Sequence, residues 1–305
     1  AYFCTVKELD ELGKNNIPRQ LISHTHLIYS SPATLAFNSP GAEGFGVKRA
    51  GLAVPDSVML IVSPGCCGRN TSVLSSMRAY QDRFYYLLMD ETDIVTGRHL
   101  KKIPKAVAEI CEGLKKKPSV VMICITCVDA LLGTDMERVC HKAEEYAGVP
   151  VRPCYMYALT REGRKPPMVH VRQSVYSLLE PKKKKGNVVN LLGYFSPLTD
   201  DCELYDLLHG AGVKTIHEIS RCKDYAQYQT MSEANFNLVL HPEARFAAED
   251  FHDRLKIPYI ELRRLYQIDK IASQYRALAA ALGVEFEDEI PRKAAEEAVE
   301  KFREI

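Results

Sequence analysis

Residues 57–68 read "SVMLIVSPGCCG". The apolar run from Val58 to Val62 leaves no polar face, so the segment is a strand buried on both sides, as strands of a parallel sheet are. The Ser-Pro-Gly that follows ends the strand in a turn, and the turn carries two adjacent thiols, Cys66 and Cys67. Buried cysteines usually stand singly in cores as small hydrophobes. Two neighbouring side chains cannot point the same way, so packing alone gives no reason for this pair.

The strand pattern recurs in "FYYLLMD" (84–90), "SVVMICIT" (119–126) and "VPVRPCYM" (149–156). Between these runs lie "TSVLSSMRAYQD", "RHLKKIPKAVAEICEGLKKK" and "GTDMERVCHKAEEYAG". In the second of them Leu100, Ile103, Val107, Ile110 and Leu114 recur at three and four residues and make one apolar helix face. Gly148 ends the third. Alternating strands and amphipathic helices specify a doubly wound α/β domain. "LLEPKKKKGN" (178–187) interrupts the alternation and reads as a solvated linker. A second alternation follows over about 187–262, from "NVVNLLGYF" through "VKTIHEI" and "NFNLVLHP" to "IPYIEL", with "DDCELYDLLHGAG", "DYAQYQTMSEA" and "EARFAAEDFHDRL" between them as helices. The expected architecture is therefore α/β with two Rossmann-like doubly wound parallel-sheet domains. They cover 1–180 and 187–284, and a C-terminal helix follows over 285–305.

Composition narrows the function. The 305 residues carry a net charge of +1, so no global field points to nucleic acid or to an anionic membrane. No apolar stretch approaches the ~20 residues of a membrane helix. The opening "AYFCTVKELDELGKNN" has no apolar signal core, so a cytoplasmic protein is expected. No G-x-G-x-x-G and no G-x-x-x-x-G-K-[ST] follows a strand, so the architecture does not argue for a bound nucleotide, and any ATP chemistry falls to another protein.

The ten cysteines stand at 4, 66, 67, 111, 124, 127, 140, 154, 202 and 222. Cys111 and Cys140 fall within helical patterns and read as packing residues. Cys66, Cys67, Cys124 and Cys127 bracket strand ends, and ligands of open parallel sheets collect beyond the carboxyl ends of the strands. Three soft ligands, or four with Cys124, suit zinc or an iron–sulfur cluster. Zinc usually takes two clustered C-x-x-C hooks, and "CITC" is one imperfect hook. Cys124, inside its strand, reads as a core residue. "SHTHL", with His24 and His26, reads as polar loop or strand rather than a metal pair.

"VSPGCCG", then "DETDIVTGRHLKKIPKAVAEI", then "ITCVDALLGTD", and finally "ANFNLVLHPEARFAAEDFHDRLKIPYIEL" resemble, in order and spacing, the nitrogenase component 1 family of oxidoreductases over about residues 36–283. The family includes nitrogenase catalytic subunits, the dark-operative protochlorophyllide reductase, the nickel-tetrapyrrole reductive cyclase, and scaffolds that mature the nitrogenase cofactor. The resemblance implies an iron–sulfur cluster at a subunit interface, charged by a separate ATP-hydrolysing iron protein. It assigns ligation to Cys67 and Cys127, with Cys66 as an accessory ligand. A [4Fe–4S] cluster is favoured over a larger one like the nitrogenase P-cluster.

Three departures are informative. The family's earlier ligating cysteine is replaced by Ser39 in "NSPGAEGFG". Where nitrogenase anchors its catalytic cofactor with a cysteine, this chain has His241 and Pro242. Family members usually carry a third α/β domain, and these residues stop at "EKFREI", so the expectation is either a short form or a chain whose C-terminal domain is not included here. The expected function is the cluster-holding catalytic subunit of a two-component reductase. The alternative is a non-catalytic scaffold for assembly or transfer of a nitrogenase-type metallocofactor. A homodimer sharing one cluster is expected ahead of a heterodimer with a paralogous subunit. No catalytic acid or base and no substrate can be named from these residues.

Overall fold

The computed structural model describes residues 5–13, 16, 40–65, 80–125, 132–155, 165–265, 267–285 and 289–303. The described helices are α1 (Val6–Leu12), α2 (Pro40–Gly51), α3 (Glu91–Thr96), α4 (His99–Gly113), α5 (Met136–Ala147), α6 (Pro167–Tyr176), α7 (Glu203–Gly210), α8 (Tyr225–Gln229), α9 (Arg245–Leu255), α10 (Ile268–Leu282) and α11 (Glu289–Arg303). None is long and apolar enough to cross a membrane.

β1 (Val58–Ser63), β2 (Phe84–Leu88), β3 (Val121–Ile125) and β4 (Val151–Tyr155) form an all-parallel sheet in the order β2-β1-β3-β4. Every residue of β1 and β3 is buried, which is why neither run alternates. Val58, Leu60 and Val62 share one face with Val121, Ile123 and Ile125, and α4 and α5 cover it. Met59, Ile61, Met122, Cys124 and Cys154 share the other, with α2 and α6 above them.

The second sheet repeats the plan. β5 (Val188–Leu192), β6 (Thr215–His217), β7 (Phe236–Val239) and β8 (Tyr259–Glu261) are parallel in the order β6-β5-β7-β8. Val189, Leu191 and Leu238 pack with Leu204 and Leu208 of α7 and Leu278 of α10. On the opposite face Leu192 and Val239 join Ala247, Ala248 and Phe251 of α9.

Helix α6 connects the two halves. It packs on α2 and β4 of the first sheet and on α9 of the second. Its Val171, Val175 and Tyr176 belong to one apolar cluster that continues into the second sheet. The Tyr176 and Phe251 rings lie 5.2 Å apart, and Tyr228 Oη donates to Val175 O at 2.5 Å. Each fully buried large side chain of this kind contributes about 1.5–3 kcal/mol.

Several elements differ from the sequence reading. β5 stops at Leu192 because Gly193 has φ +139°, outside any strand conformation. "DYAQYQTMSEA" is not one helix: α8 gives way to a 3-10 turn over Thr230–Glu233. β6 keeps only three residues. "DETDIVT" forms the short helix α3, closed by a reciprocal capping box between Asp90 and Asp93. The lysine run is partly docked on the second sheet's cover: Lys184 Nζ donates to Ser232 O at 2.6 Å, and Lys185 pairs with Glu233. The expected helix "TSVLSSMRAYQD" lies, except for its last residues, outside the described residues.

Candidate functional site

β1 and β3 are hydrogen-bonded neighbours in the register Val62↔Ile125, and both end there at one edge of the sheet. The chain then leaves β1 towards β2 on one side and β3 towards β4 on the other. In such a sheet the crevice between these two carboxyl ends is where ligands are held. Cys66 and Cys67 follow Ser63, the last residue of β1, and Cys127 follows Ile125, the last of β3, within four residues in each case. Cys66, Cys67, Cys127 and Ser39 lie outside the described residues, as do His24 and His26. Among the described residues no group of three or more His, Cys, Asp or Glu is placed to hold a metal ion.

Cys124, penultimate in β3, is fully buried and stands in register with the equally buried Cys154 of β4. Burial pushes the Cys124 thiol up to about 11, against the opposing pull of Lys48, and drives Cys154 well above the ordinary thiol range. Both are protonated packing thiols near neutral pH. The α2 backbone approaches Cys154 closely: a Cβ built on Gly51 would stand 2.8 Å from Cys154 Sγ.

Two polar residues on this same face escaped the sequence reading. Ser63 ends β1 on the face of Met59 and Ile61, since side chains alternate along a strand. It is 0 % exposed, and its Oγ has no hydrogen-bond partner. An unsatisfied buried hydroxyl costs about 1–3 kcal/mol, which an acceptor at this edge would recover. Lys48, on α2, is 2 % exposed. Neither has a sequence signal, because Ser63 reads as the start of a turn and Lys48 as one of two adjacent helix cations.

The crevice of the second sheet lies between β5 and β7 and is built differently. Arg172, on α6 and 4 % exposed, donates from Nε and Nη2 to Gly193 O (3.2 and 2.6 Å). Its Nη1 donates to Met168 O and Glu243 Oε2, both at 2.8 Å. His241 Nδ1 accepts from the Glu243 backbone N–H at 3.3 Å, so the neutral ring carries its proton on Nε2. Burial holds the His241 imidazole below its ordinary range. The Tyr194 ring meets the His241 ring edge-on at 5.7 Å, and Arg264 Nη2 donates to Tyr194 Oη at 3.1 Å. Sequence reading singled out His241 here; Arg172 sits among apolar helix residues and gave no signal.

The geometry has clear relatives. The nitrogenase NifE protein of Nostoc sp., described as an iron-molybdenum cofactor biosynthesis protein, is 27 % identical to this chain over 239 residues, which is 75 % of this chain and 49 % of that protein. The protein of the same description from Klebsiella pneumoniae is 27 % identical over 266 residues, or 80 % of this chain and 58 % of that protein. The chain thus spans about half the length of the curated relatives it matches. Among solved structures, nitrogenase Cp1 at pH 6.5 superposes with a TM-score of 0.58 at 18 % identity, covering 79 % of this chain and 57 % of that one, which shows the shared fold. The family model for nitrogenase component 1 type oxidoreductases matches residues 43–305, both sheets included, and the chain belongs to that family.

Proposed function

We propose that this chain is a scaffold subunit that holds an iron–sulfur cluster as cargo at the carboxyl edge of its first sheet, for assembly or transfer of a nitrogenase-type metallocofactor. The observation that carries the site is the adjacency of the β1 and β3 ends, Val62 beside Ile125, with Cys66, Cys67 and Cys127 following directly in the chain. The orphaned Ser63 hydroxyl fits such an occupant, since cluster sulfur accepts hydrogen bonds. Cys67 and Cys127 would ligate, with Cys66 accessory, and a C2 dimer would bring the two sets together around its axis. Bound there, the cluster would supply one-electron capacity and exchangeable iron and sulfide. The chain's own part is to present thiolates, exclude water with the packed α2 and α6 cover, and leave the sheet edge open to a partner.

Scaffolding is preferred to catalysis because the matched relatives are described as cofactor biosynthesis proteins. An ATP-hydrolysing iron protein is the expected electron-donating partner under either reading. The test is anaerobic purification followed by two assays. Iron and sulfide that pass from the loaded chain to a cofactor-free nitrogenase component support the scaffold. Sustained ATP-dependent substrate reduction with an iron protein and no transfer would replace it with the catalytic reading.

A further inference from the structure

A cleft of about 670 Å³ lies where the two halves of the chain meet. One wall comes from residues that precede β1 and β2, at the amino edge of the first sheet. The other comes from residues that follow β5 and β6, at the carboxyl edge of the second, where open parallel sheets hold ligands. The described lining residues include three cations, Arg49, Arg83 and Lys223, and one carboxylate, Asp56. Lys116 Nζ already donates to Asp56 Oδ2 at 2.7 Å, so the cleft keeps an excess of positive charge. The Arg49 and Lys223 side chains are exposed and make no hydrogen bond or ion pair with any described residue. Arg83 is half-buried and held by neutral acceptors. Its Nε donates to Ser57 O at 2.9 Å, and its Nη2 to Leu52 O, Val54 O and Ser57 Oγ at 2.8, 3.3 and 3.0 Å. Facing these cations from the second half, Ser220 also lines the cleft, and its Oγ is buried without a hydrogen-bond partner. Cations gathered in a concave wall focus their field on whatever enters it.

We infer that this cleft binds a small organic anion, with a carboxylate or phosphate group held by Arg49 and Lys223 and an apolar body against Leu52, Phe195 and Ile219. The guanidinium offers a planar fork to an oxyanion, and the ammonium adds a point charge from the opposite wall. Arg83 contributes its charge from behind, and the Ser220 hydroxyl gains the acceptor it lacks. The apolar lining selects against a bare inorganic ion, which would leave it in contact with water alone. Phe195 is itself held in place, with the Arg172 guanidinium 5.0 Å from its ring centre. The inference does not rest on the proposed cluster site. That site lies where β1 and β3 end, and this cleft opens where β1 and β2 begin.

Calorimetric titration of the full chain with phenyl phosphate, benzoate, inorganic phosphate, acetate and benzyl alcohol tests this. Phenyl phosphate or benzoate should bind at one saturable site per chain, and the tighter of the two identifies the anionic group. Inorganic phosphate and acetate, which lack the apolar body, should bind more weakly than their aromatic counterparts, and the uncharged alcohol should not bind. Arg49→Met and Lys223→Met should each weaken the aromatic anion roughly tenfold or more, since each removes a charged donor. Their melting temperatures without ligand should match the wild type, because both side chains are exposed and unpaired. Lys223→Arg should retain most of the affinity, and added salt should lower it. Lys105→Met, which removes an exposed cation of α4, should leave affinity unchanged. Should Arg49→Met fail to fold, Lys223→Met, on the other wall, decides alone. Absence of saturable binding by both aromatic anions overturns the inference. Equal losses in Lys105→Met and Lys223→Met, or benzyl alcohol binding as tightly as the anions, overturn it as well.

Discussion

Gly193 lies so close to His241 that a Cβ built on it would stand 2.7 Å from the His241 backbone nitrogen and 2.9 Å from its Cβ. Its φ of +139° is open only to glycine at low cost. Gly193→Ala should therefore lose about 1–3 kcal/mol from backbone strain, with the clash adding to it. Gly210→Ala, at the end of α7 where nothing lies within 4 Å, should be neutral or slightly stabilising. Urea unfolding of the two variants makes the comparison, and equal midpoints would refute the assignment.

Arg172 ties the first half of the chain to the second through Gly193 O and Glu243. Arg172→Met leaves buried carbonyls without a donor, at about 1–3 kcal/mol. Arg172→Lys should recover little, because an ammonium cannot reproduce the planar fork that serves Gly193, Met168 and Glu243 together. Faster limited proteolysis of the folded state in both variants is the expected readout.

His217 is 8 % exposed, and burial holds its imidazole below the ordinary 6.5. Around it lie Thr230, whose Oγ1 is 3.3 Å from Nε2, and the opposing charges of Glu233 and Lys185. The unfolded chain then binds this proton more readily than the folded one. The stability contributed by the neutral ring is complete above about pH 6.5 and is lost as pH falls towards the folded value, by at most about 1.4 kcal/mol per pH unit. Denaturation midpoints measured between pH 5 and 7 should fall with acid in the wild type and flatten in His217→Gln.

Under the proposed function, Cys67→Ala and Cys127→Ala should strip most of the bound iron and its visible absorption. Cys140→Ala and Cys111→Ala should keep both, since burial raises both thiols and they pack against the α4–α5 face of the sheet. About two irons per chain in a dimer marks one shared four-iron cluster. A monomer that retains a full cluster would exclude sharing.

Asp135 is exposed at the start of α5, after the segment that follows β3, where a docking iron protein would approach. It also caps the helix, accepting from Arg138 N at 3.0 Å. Asp135→Asn keeps the cap and removes the charge, so it separates docking from folding, whereas Asp135→Ala costs about 1 kcal/mol of helix stability. Electron delivery from an iron protein should weaken with salt and with Asp135→Asn while the melting temperature holds.

The sequence by itself determined the layer plan. Unbroken apolar runs such as "VMLIVS" and "VMICI" can only be strands buried on both faces, and the heptad-like spacing in α4 can only be a helix lying on them. It also located the sheet edge after which Cys66, Cys67 and Cys127 follow in the chain, because carboxyl ends of strands follow from chain direction alone. Asn190 illustrates what one dimension conceals: it interrupts "VVNLL", yet stands in register with Asn237 and donates to that side chain and to Met231 O. The strand orders, the shared core running through α6 and the fork of Arg172 were decided only in the tertiary structure. Each depends on which segments become neighbours in space. Periodicity reports how a residue meets its own element, and the identity of the group across the gap enters only when the chain closes.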